Sequence, residues 1–162
     1  MSREHRERLN GHKSAVLWLT GFSGAGKTTL AKAVELNLVA KGVRAMVMDG
    51  DQLRTGLCTD LGFSAEERSE NIRRVGEVTK LFCDAGIVVI AALISPMSKD
   101  RQRVRDLFAE GDFFEVFCNS SLQSCEKRDV KGLYRRARVG EIPEFTGISS
   151  PYEAPENPDL TL

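Results

Sequence analysis

Histidine and paired cysteines are scarce in this chain of 162 residues. Both histidines, His5 and His12, lie near the amino terminus, and none of the four cysteines forms a C-x-x-C pair with another. A zinc site needs several such ligands close together, and a catalytic triad needs a histidine as its base. The composition therefore argues against both kinds of site.

The chain also lacks net charge and long apolar runs. Its 23 lysines and arginines balance 23 aspartates and glutamates, so the surface as a whole offers no footprint for nucleic acid or an anionic membrane. No apolar run approaches the length of a membrane span, and the first residues lack the hydrophobic segment of a secretory signal. We expect a cytoplasmic protein with reduced thiols, with neither nucleic acid nor membrane as a partner.

What the chain does contain is a phosphate-binding pattern. The segment TGFSGAGKTTLAK holds G-x-x-x-x-G-K-T, with Gly21, Gly26, Lys27 and Thr28 at its fixed positions. Glycines permit the backbone to wrap a polyphosphate with successive N–H groups, while the lysine reaches the outer phosphates and the threonine hydroxyl can complete a Mg²⁺ shell. The alternative is an ordinary glycine-rich turn, which the β-rich run before the loop and the apolar-periodic helix after it disfavour. The sequence therefore predicts nucleoside triphosphate binding.

Apolar runs and helical patterns alternate along the chain, and its length suits one domain. Apolar runs predict strands at 15–20, 43–49, 87–94 and 113–119. Capping and periodicity predict one helix directly after the phosphate loop and further helices at 64–84, 99–109, 122–128 and 133–139. We expect an α/β fold, a three-layer α/β/α sandwich around a parallel sheet, with 1–13 as a mobile amino-terminal arm and 14–162 as a single domain.

Polar groups follow the predicted strands, where open α/β sheets bind ligands. Asp49 and Asp51 come after the second strand, Ser95 after the third, and a basic stretch from Lys131 after the fourth. With the phosphate loop, these groups would supply what phosphoryl transfer requires. Asp51 is our candidate for orienting or deprotonating an acceptor hydroxyl, with a role in the metal shell through water. A hydrogen-bonded cap of the loop is the alternative role for either aspartate.

Longer strings resemble one enzyme family. From about residue 10 to residue 162, the chain resembles adenylylsulfate kinases in the strings GFSGAGKTT, DGDQLRTGL, DLGFS, ENIRRVGEV, LISP, RDVKGLYRRARVGEI and FTGISSPYEAPE. The resemblance implies a P-loop nucleoside triphosphate hydrolase fold and a kinase that moves the γ-phosphate of ATP to the 3′-hydroxyl of adenosine 5′-phosphosulfate (APS). The products would be ADP and PAPS, as in sulfate assimilation. It also implies Mg²⁺, a homodimer, and a functional link or fusion to ATP sulfurylase.

The resemblance implies a set of residues around ATP. Lys27 would hold the phosphates and be catalytic, and Thr28 and Asp51 would serve the metal. The full ATP set would be Gly21, Ser23, Gly24, Ala25, Gly26, Lys27, Thr28, Thr29, Arg135 and Arg138.

A second set would hold APS: Asp51, Arg54, Phe63, Arg68, Asn71, Ile94, Ser95, Lys131 and Phe145. Phe63 and Phe145 would sandwich the adenine, although either could instead be core, and Phe63 could be a hydrophobic staple before a helix cap. The planar guanidinium group of an arginine can donate two hydrogen bonds at once to the oxygens of a phosphosulfate. The resemblance also implies a catalytic role for Ser95, because this position of the family has been treated as a site that carries a phosphoryl group. We favour direct transfer with Asp51, which leaves Ser95 as a substrate contact.

The resemblance also implies that residues 131–150 form a lid. Mobile basic residues over the phosphates would exclude water and stabilise charge, while a solvated basic helix is the alternative. Relatives usually continue through one further helix beyond the position of Leu162, which leaves open how the last sheet edge is completed. The competing functions are another P-loop small-molecule or nucleotide kinase and a non-catalytic nucleotide-binding module. A GTPase switch is disfavoured because the chain has no N-K-x-D.

Overall fold

A five-stranded sheet forms the centre of the computed structural model, which describes residues 1–162. The strand order is β2-β3-β1-β4-β5, and every neighbouring pair is parallel. The strands are β1 (Val16–Thr20), β2 (Ala45–Asp49), β3 (Val88–Ala92), β4 (Phe113–Phe117) and β5 (Leu160–Thr161). The predicted parallel α/β fold is confirmed, and β5 is a short edge strand that the sequence did not indicate.

Seven helices connect and cover the strands. They are α1 (Arg3–Asn10), α2 (Lys27–Ala40), α3 (Gly50–Leu53), α4 (Ala65–Asp84), α5 (Ser98–Arg105), α6 (Leu122–Arg128) and α7 (Leu133–Arg138). Helix α4 begins at the predicted capping box, in which Ser64 and Glu67 bond each other's backbone N–H groups. None of the helices combines the length and apolar character that crossing a membrane would require.

The two faces of the sheet pack against different helices. Trp18 and Val89 share one apolar cluster with Val75 of α4 and Val104 of α5. On the opposite face, the partner of the sheet is α2, whose Ala31 is fully buried in a second cluster. Strand β3 is buried along its whole length because both of its faces are covered, which explains its uninterrupted apolar sequence.

The amino-terminal segment differs from the expected mobile arm. Its residues 3–10 form α1, and Arg3 makes a two-pronged ion pair with Asp112 at 2.5 and 2.9 Å. The Glu7 carboxylate is buried and accepts hydrogen bonds from the Ser14 backbone at 2.9 Å and hydroxyl at 2.6 Å, which lower its pKa to about 2. The structure thus corrects the expectation, because polar side chains rather than an apolar stripe tie this helix to the amino-terminal end of the sheet.

Candidate active site

The phosphate loop lies at the carboxyl end of β1, in the middle of the sheet. Its glycines adopt backbone angles that other residues avoid, with φ of 148° at Gly21, 79° at Gly24 and 93° at Gly26. A Cβ on Gly21 would lie 2.7 Å from the carbonyl oxygen of Cys118, so the loop also needs a glycine there for space. This geometry turns the loop around the amino terminus of α2, where an anion is stabilised.

Lys27 is only 8% exposed, and its ammonium group lies beneath the loop. It donates hydrogen bonds to the carbonyl oxygens of Gly21 and Phe22, at 2.9 and 2.8 Å. Burial lowers its pKa to about 8. A phosphate in the loop would favour the charged form again, since an opposite charge nearby stabilises the ammonium ion.

The Thr28 hydroxyl donates to a carboxylate oxygen of Asp49 at 2.6 Å. The other oxygen of Asp49 accepts the backbone N–H of Asp51 at 3.0 Å and so caps α3. The structure therefore places Asp49, rather than the expected Asp51, beside the threonine. No group of three or more Asp, Glu, Cys or His side chains is arranged so that it could hold a metal ion by itself. A hydroxyl and one carboxylate still fit Mg²⁺, which takes few protein ligands and completes its shell with phosphates and water.

Asp51 lies in the first turn of α3 with its side chain largely in solvent. Its carboxylate pairs with the ammonium group of Lys131, from the loop before α7. The two residues come from positions 80 apart in the chain, and both side chains are more than half exposed. Together with the phosphate loop they define what we call the mouth: residues 21–28, Asp51 and Lys131.

Phe63 projects beside the mouth with 53% of its surface exposed. The guanidinium of Arg54 lies 4.2 Å from the centre of its ring, and that of Arg68 lies 5.5 Å away. In a hydrophobic staple, Phe63 would pack against an apolar residue at the fourth position of α4. Arg68 occupies that position, so Phe63 makes cation–π contacts instead. Phe63 is therefore a largely exposed ring with two guanidinium groups close to it.

Phe145 has a different environment from Phe63. It is 7% exposed and packs edge-on against Tyr134, with ring centres 5.0 Å apart. Arg68 links the loop that contains Phe63 to the loop that contains Phe145. It donates to the Phe63 carbonyl and to the Thr146 hydroxyl, both at 2.8 Å. The structure therefore joins the loops but buries one of the two rings expected to hold adenine.

Asn71 lies one turn further along α4 and is 5% exposed. Its side-chain oxygen is buried without a hydrogen-bond partner. An unpaired buried acceptor costs about 1–3 kcal/mol, which a ligand donor would recover. Among the residues expected to bind the acceptor, Asn71 is thus the one with an unmet hydrogen-bonding need.

Ser95 follows β3, but its hydroxyl faces the core. The residue is 2% exposed, has a positive φ of 40°, and its hydroxyl accepts the indole N–H of Trp18 at 3.1 Å. Ile94 precedes it, with its carbonyl accepting the Thr20 hydroxyl at 2.7 Å. The structure directs the Ser95 hydroxyl to Trp18 and not to the mouth, because the buried indole N–H requires an acceptor. A catalytic role for Ser95 stays a prediction.

The expected lid contains α7, which presents two unlike faces. Tyr134 and Ala137 are buried, whereas Arg135 and Arg138 are exposed. Arg138 pairs with Glu126 at 2.7 Å, while the guanidinium of Arg135 has no protein partner. The sequence motifs did not single out Tyr134, although it lies within the string KGLYRRAR.

Comparison with known proteins identifies the family of this chain. A family model described as adenylylsulphate kinase matches residues 13–162. The chain belongs to the adenylylsulfate kinase family. The adenylyl-sulfate kinase of Acaryochloris marina is 61% identical over all 162 residues, which cover 79% of that relative. The adenylyl-sulfate kinase of Thermodesulfovibrio yellowstonii is 57% identical over the same length, covering 81% of it.

Solved structures agree with this family. The APS kinase CysC of Mycobacterium tuberculosis, determined in complex with AMPPNP and APS, superposes with a TM-score of 0.90 at 51% identity, covering 93% of this chain and 88% of that one. A gluconokinase from Sinorhizobium meliloti, at 18% identity and a TM-score of 0.51, shares the fold alone. This member of the adenylylsulfate kinase family is therefore an ATP-dependent phosphotransferase with a P-loop kinase fold.

Proposed function

We propose that this protein transfers the γ-phosphate of ATP to the 3′-hydroxyl of APS, giving PAPS and ADP. The observation that carries the proposal is the mouth itself, where the buried ammonium group of Lys27 and the exposed carboxylate of Asp51 lie at the same end of one sheet. A phosphate cradle beside an exposed carboxylate is the arrangement that transfer to a hydroxyl requires. Family membership supports APS as the acceptor.

The donor nucleotide binds along the phosphate loop. Backbone N–H groups of residues 21–28 surround its phosphates, and Lys27 exchanges its carbonyl partners for phosphate oxygens. Arg135 is free to turn toward the nucleotide, whereas Arg138 must first leave Glu126. Charged donors in a site shielded from water stabilise the charge that develops on the transferring group.

The acceptor ribose meets Asp51. The carboxylate orients the 3′-hydroxyl and takes its proton as the ribose oxygen bonds to the γ-phosphorus, while the bond from that phosphorus to the β–γ bridging oxygen breaks and ADP leaves. Lys131 gives up its ion pair with Asp51 and contacts APS. Arg54, Arg68 and Asn71 hold the polar groups of APS, and Phe63 stacks on its adenine.

Thr28 and Asp49 would hold Mg²⁺, with Asp51 near enough in sequence to contribute through water. When bound, the ion supplies positive charge that neutralises the phosphate oxygens. The donor set supports this assignment because both groups offer hard oxygen ligands 2.6 Å apart.

Transfer is direct, without a phosphoserine at Ser95. The burial of Ser95 and its bond to Trp18 support this mechanism, because a hydroxyl in the core is not in line with the donor. Incubation with γ-labelled ATP and no acceptor should leave the protein unlabelled. Stoichiometric label on Ser95 would contradict direct transfer.

The test of the proposed function is a choice of acceptor. With Mg-ATP, we expect equal amounts of ADP and PAPS from APS, and little turnover with adenosine 5′-monophosphate or gluconate. The monophosphate lacks the sulfate that the arginines recognise, and gluconate is the acceptor type of a kinase that shares only the fold. Equal turnover of gluconate and APS would contradict the proposal, and so would nucleotide binding without any transfer. The homodimer, the link to ATP sulfurylase and the cytoplasmic location remain predictions.

A further inference from the structure

The amino terminus of α7 is fixed to the end of α6 by the carboxylate of Asp129. Asp129 accepts the backbone N–H of Tyr134 at 2.9 Å and that of Arg135 at 3.0 Å, one on each oxygen. Asp129 itself has a positive φ of 31°, which turns the chain between the two helices. The first turn of α7 therefore has a defined position, and with it the side chain of Tyr134.

The hydroxyl of Tyr134 reaches into the phosphate loop. It donates to the carbonyl oxygen of Ser23 at 2.7 Å, and the residue is 2% exposed. Burial raises the pKa of the phenol, so the hydroxyl stays protonated and can donate. Because a peptide unit is planar, fixing the Ser23 carbonyl also fixes the N–H of Gly24, one of the donors that a polyphosphate meets.

A second contact acts on the next peptide unit. Arg128, at the end of α6, donates to the carbonyl oxygen of Gly24 at 3.2 Å, which orients the N–H of Ala25 in the same way. Two successive peptide units of the loop are thus held by side chains from the α6–α7 segment, and the Ala25 N–H itself donates to the Phe22 carbonyl at 3.1 Å. Neither side chain belongs to the phosphate-binding motif itself.

The ring of Tyr134 contacts the other side of the mouth. It packs edge-on against Phe145, at 5.0 Å between ring centres and 77° between ring planes. Phe145 begins the segment that Arg68 ties to Phe63 through Thr146. One buried side chain therefore touches both the cradle of the donor nucleotide and a wall of the acceptor site.

We propose that Tyr134 is a positioning residue shared by the two nucleotide sites, its hydroxyl setting the phosphate loop and its ring setting Phe145. The inference rests on the proposed function in that Phe145 is taken to border APS. Its two halves are separable, because the hydroxyl acts on the donor side and the ring on the acceptor side. A single substitution can remove one contact and keep the other.

The variant Tyr134→Phe keeps the ring and removes the hydroxyl. We expect the KM for ATP, and the dissociation constant of a non-hydrolysable ATP analogue, to rise about 3- to 10-fold, the loss of one hydrogen bond. The KM for APS should stay within about twofold. Tyr134→Leu, which removes both contacts, should raise both KM values. An unchanged ATP constant in Tyr134→Phe, or equal rises for both substrates, would overturn the proposal.

The only other tyrosine in the chain provides a matched control. Tyr152 bonds the Thr20 hydroxyl at 3.0 Å, below the loop rather than within it. Tyr152→Phe should lower the melting temperature about as much as Tyr134→Phe but leave the ATP constant within about twofold. If both variants weaken ATP equally, the effect of Tyr134 is general stability and the proposal fails.

The analogue-binding measurement keeps this inference separate from the proposed function. It needs no acceptor, so weaker binding in Tyr134→Phe would support the donor half of the inference even if APS were not turned over. Absence of turnover by the unaltered protein would instead count against the proposed function alone.

Discussion

The donor side and the acceptor side of the mouth are held in place by different means. The phosphate loop is positioned by backbone geometry and buried groups, with Lys27 beneath it and the Tyr134 hydroxyl on its Ser23 carbonyl. On the acceptor side Asn71 and Phe145 are buried, but several groups are exposed or half-buried side chains joined by ion pairs and cation–π contacts, such as Asp51 with Lys131. Exposed ion pairs contribute little free energy, so they exchange readily for ligand groups.

This difference indicates that the donor side is arranged before binding and the acceptor side becomes arranged on binding. Substitutions in the loop should therefore affect ATP and the chemical step together. Substitutions among the exposed residues should affect APS with little effect on ATP. The predictions below test that division, beginning with the largest effect.

Lys27→Ala should have the largest effect. Its loss removes the buried positive charge next to the transferring phosphate, and we expect kcat/KM to fall about 10³-fold. Steady-state kinetics with each substrate varied in turn would measure it, with circular dichroism to verify the fold. Lys27→Arg is the matched control and should retain part of the activity through its charge. A fall of less than tenfold in the alanine variant would mean that the buried ammonium group does not act on the phosphate.

Asp51→Asn should lower kcat about 10²-fold, since it removes a general base but keeps a polar side chain. The affinity of Asp51→Asn for an ATP analogue should change less than about threefold, whereas Lys27→Ala, as a loop substitution, should affect ATP as well as the chemical step. Asp60→Asn is the control, because Asp60 is likewise an exposed carboxylate in an ion pair, in its case with Arg74 at 2.6 Å. Loss of analogue binding in Asp51→Asn would place this carboxylate on the donor side and break the division.

Phe63→Ala should raise the KM for APS about 10-fold and leave that for ATP unchanged, because base stacking on an aromatic ring contributes about 1–3 kcal/mol. Leu57→Ala is the control, an exposed apolar residue in the same connection between α3 and α4. Titration of APS against the ADP-bound protein would measure the affinity directly. An unaltered APS affinity would remove Phe63 from the acceptor site.

The predictable parts of the site are those that depend on residues close together in the sequence. The glycines of the phosphate loop and the capping box of α4 act within a few residues, so the sequence displays them directly. Helix α1 escaped prediction because its main tie, Arg3 to Asp112, joins residues 109 apart in the chain. The direction of the Ser95 hydroxyl depends on Trp18, 77 residues away, and no motif encodes it. The choice between Asp49 and Asp51 likewise depends on where α2 places Thr28.

The smallest predicted effect concerns the opposite end of the sheet, away from both proposed nucleotide sites. Glu7→Gln removes a buried charge that the Ser14 hydrogen bonds hold at a pKa of about 2, below its ordinary value of 4.5. Stability contributed by a lowered carboxylate pKa is fully present above pH 4.5 and is lost as the pH falls toward 2.

We therefore expect Glu7→Gln to lower the melting temperature by roughly 3–6 °C at pH 7, with the difference from the unaltered protein shrinking as the pH falls from 4.5 to 2. Glu4→Gln, on the exposed side of the same helix, should leave the melting temperature unchanged. Both variants should keep the KM values for ATP and APS, because α1 contacts the amino-terminal end of the sheet. A changed KM in Glu7→Gln would mean that this end communicates with the mouth, and that the donor side owes part of its arrangement to packing far from the loop.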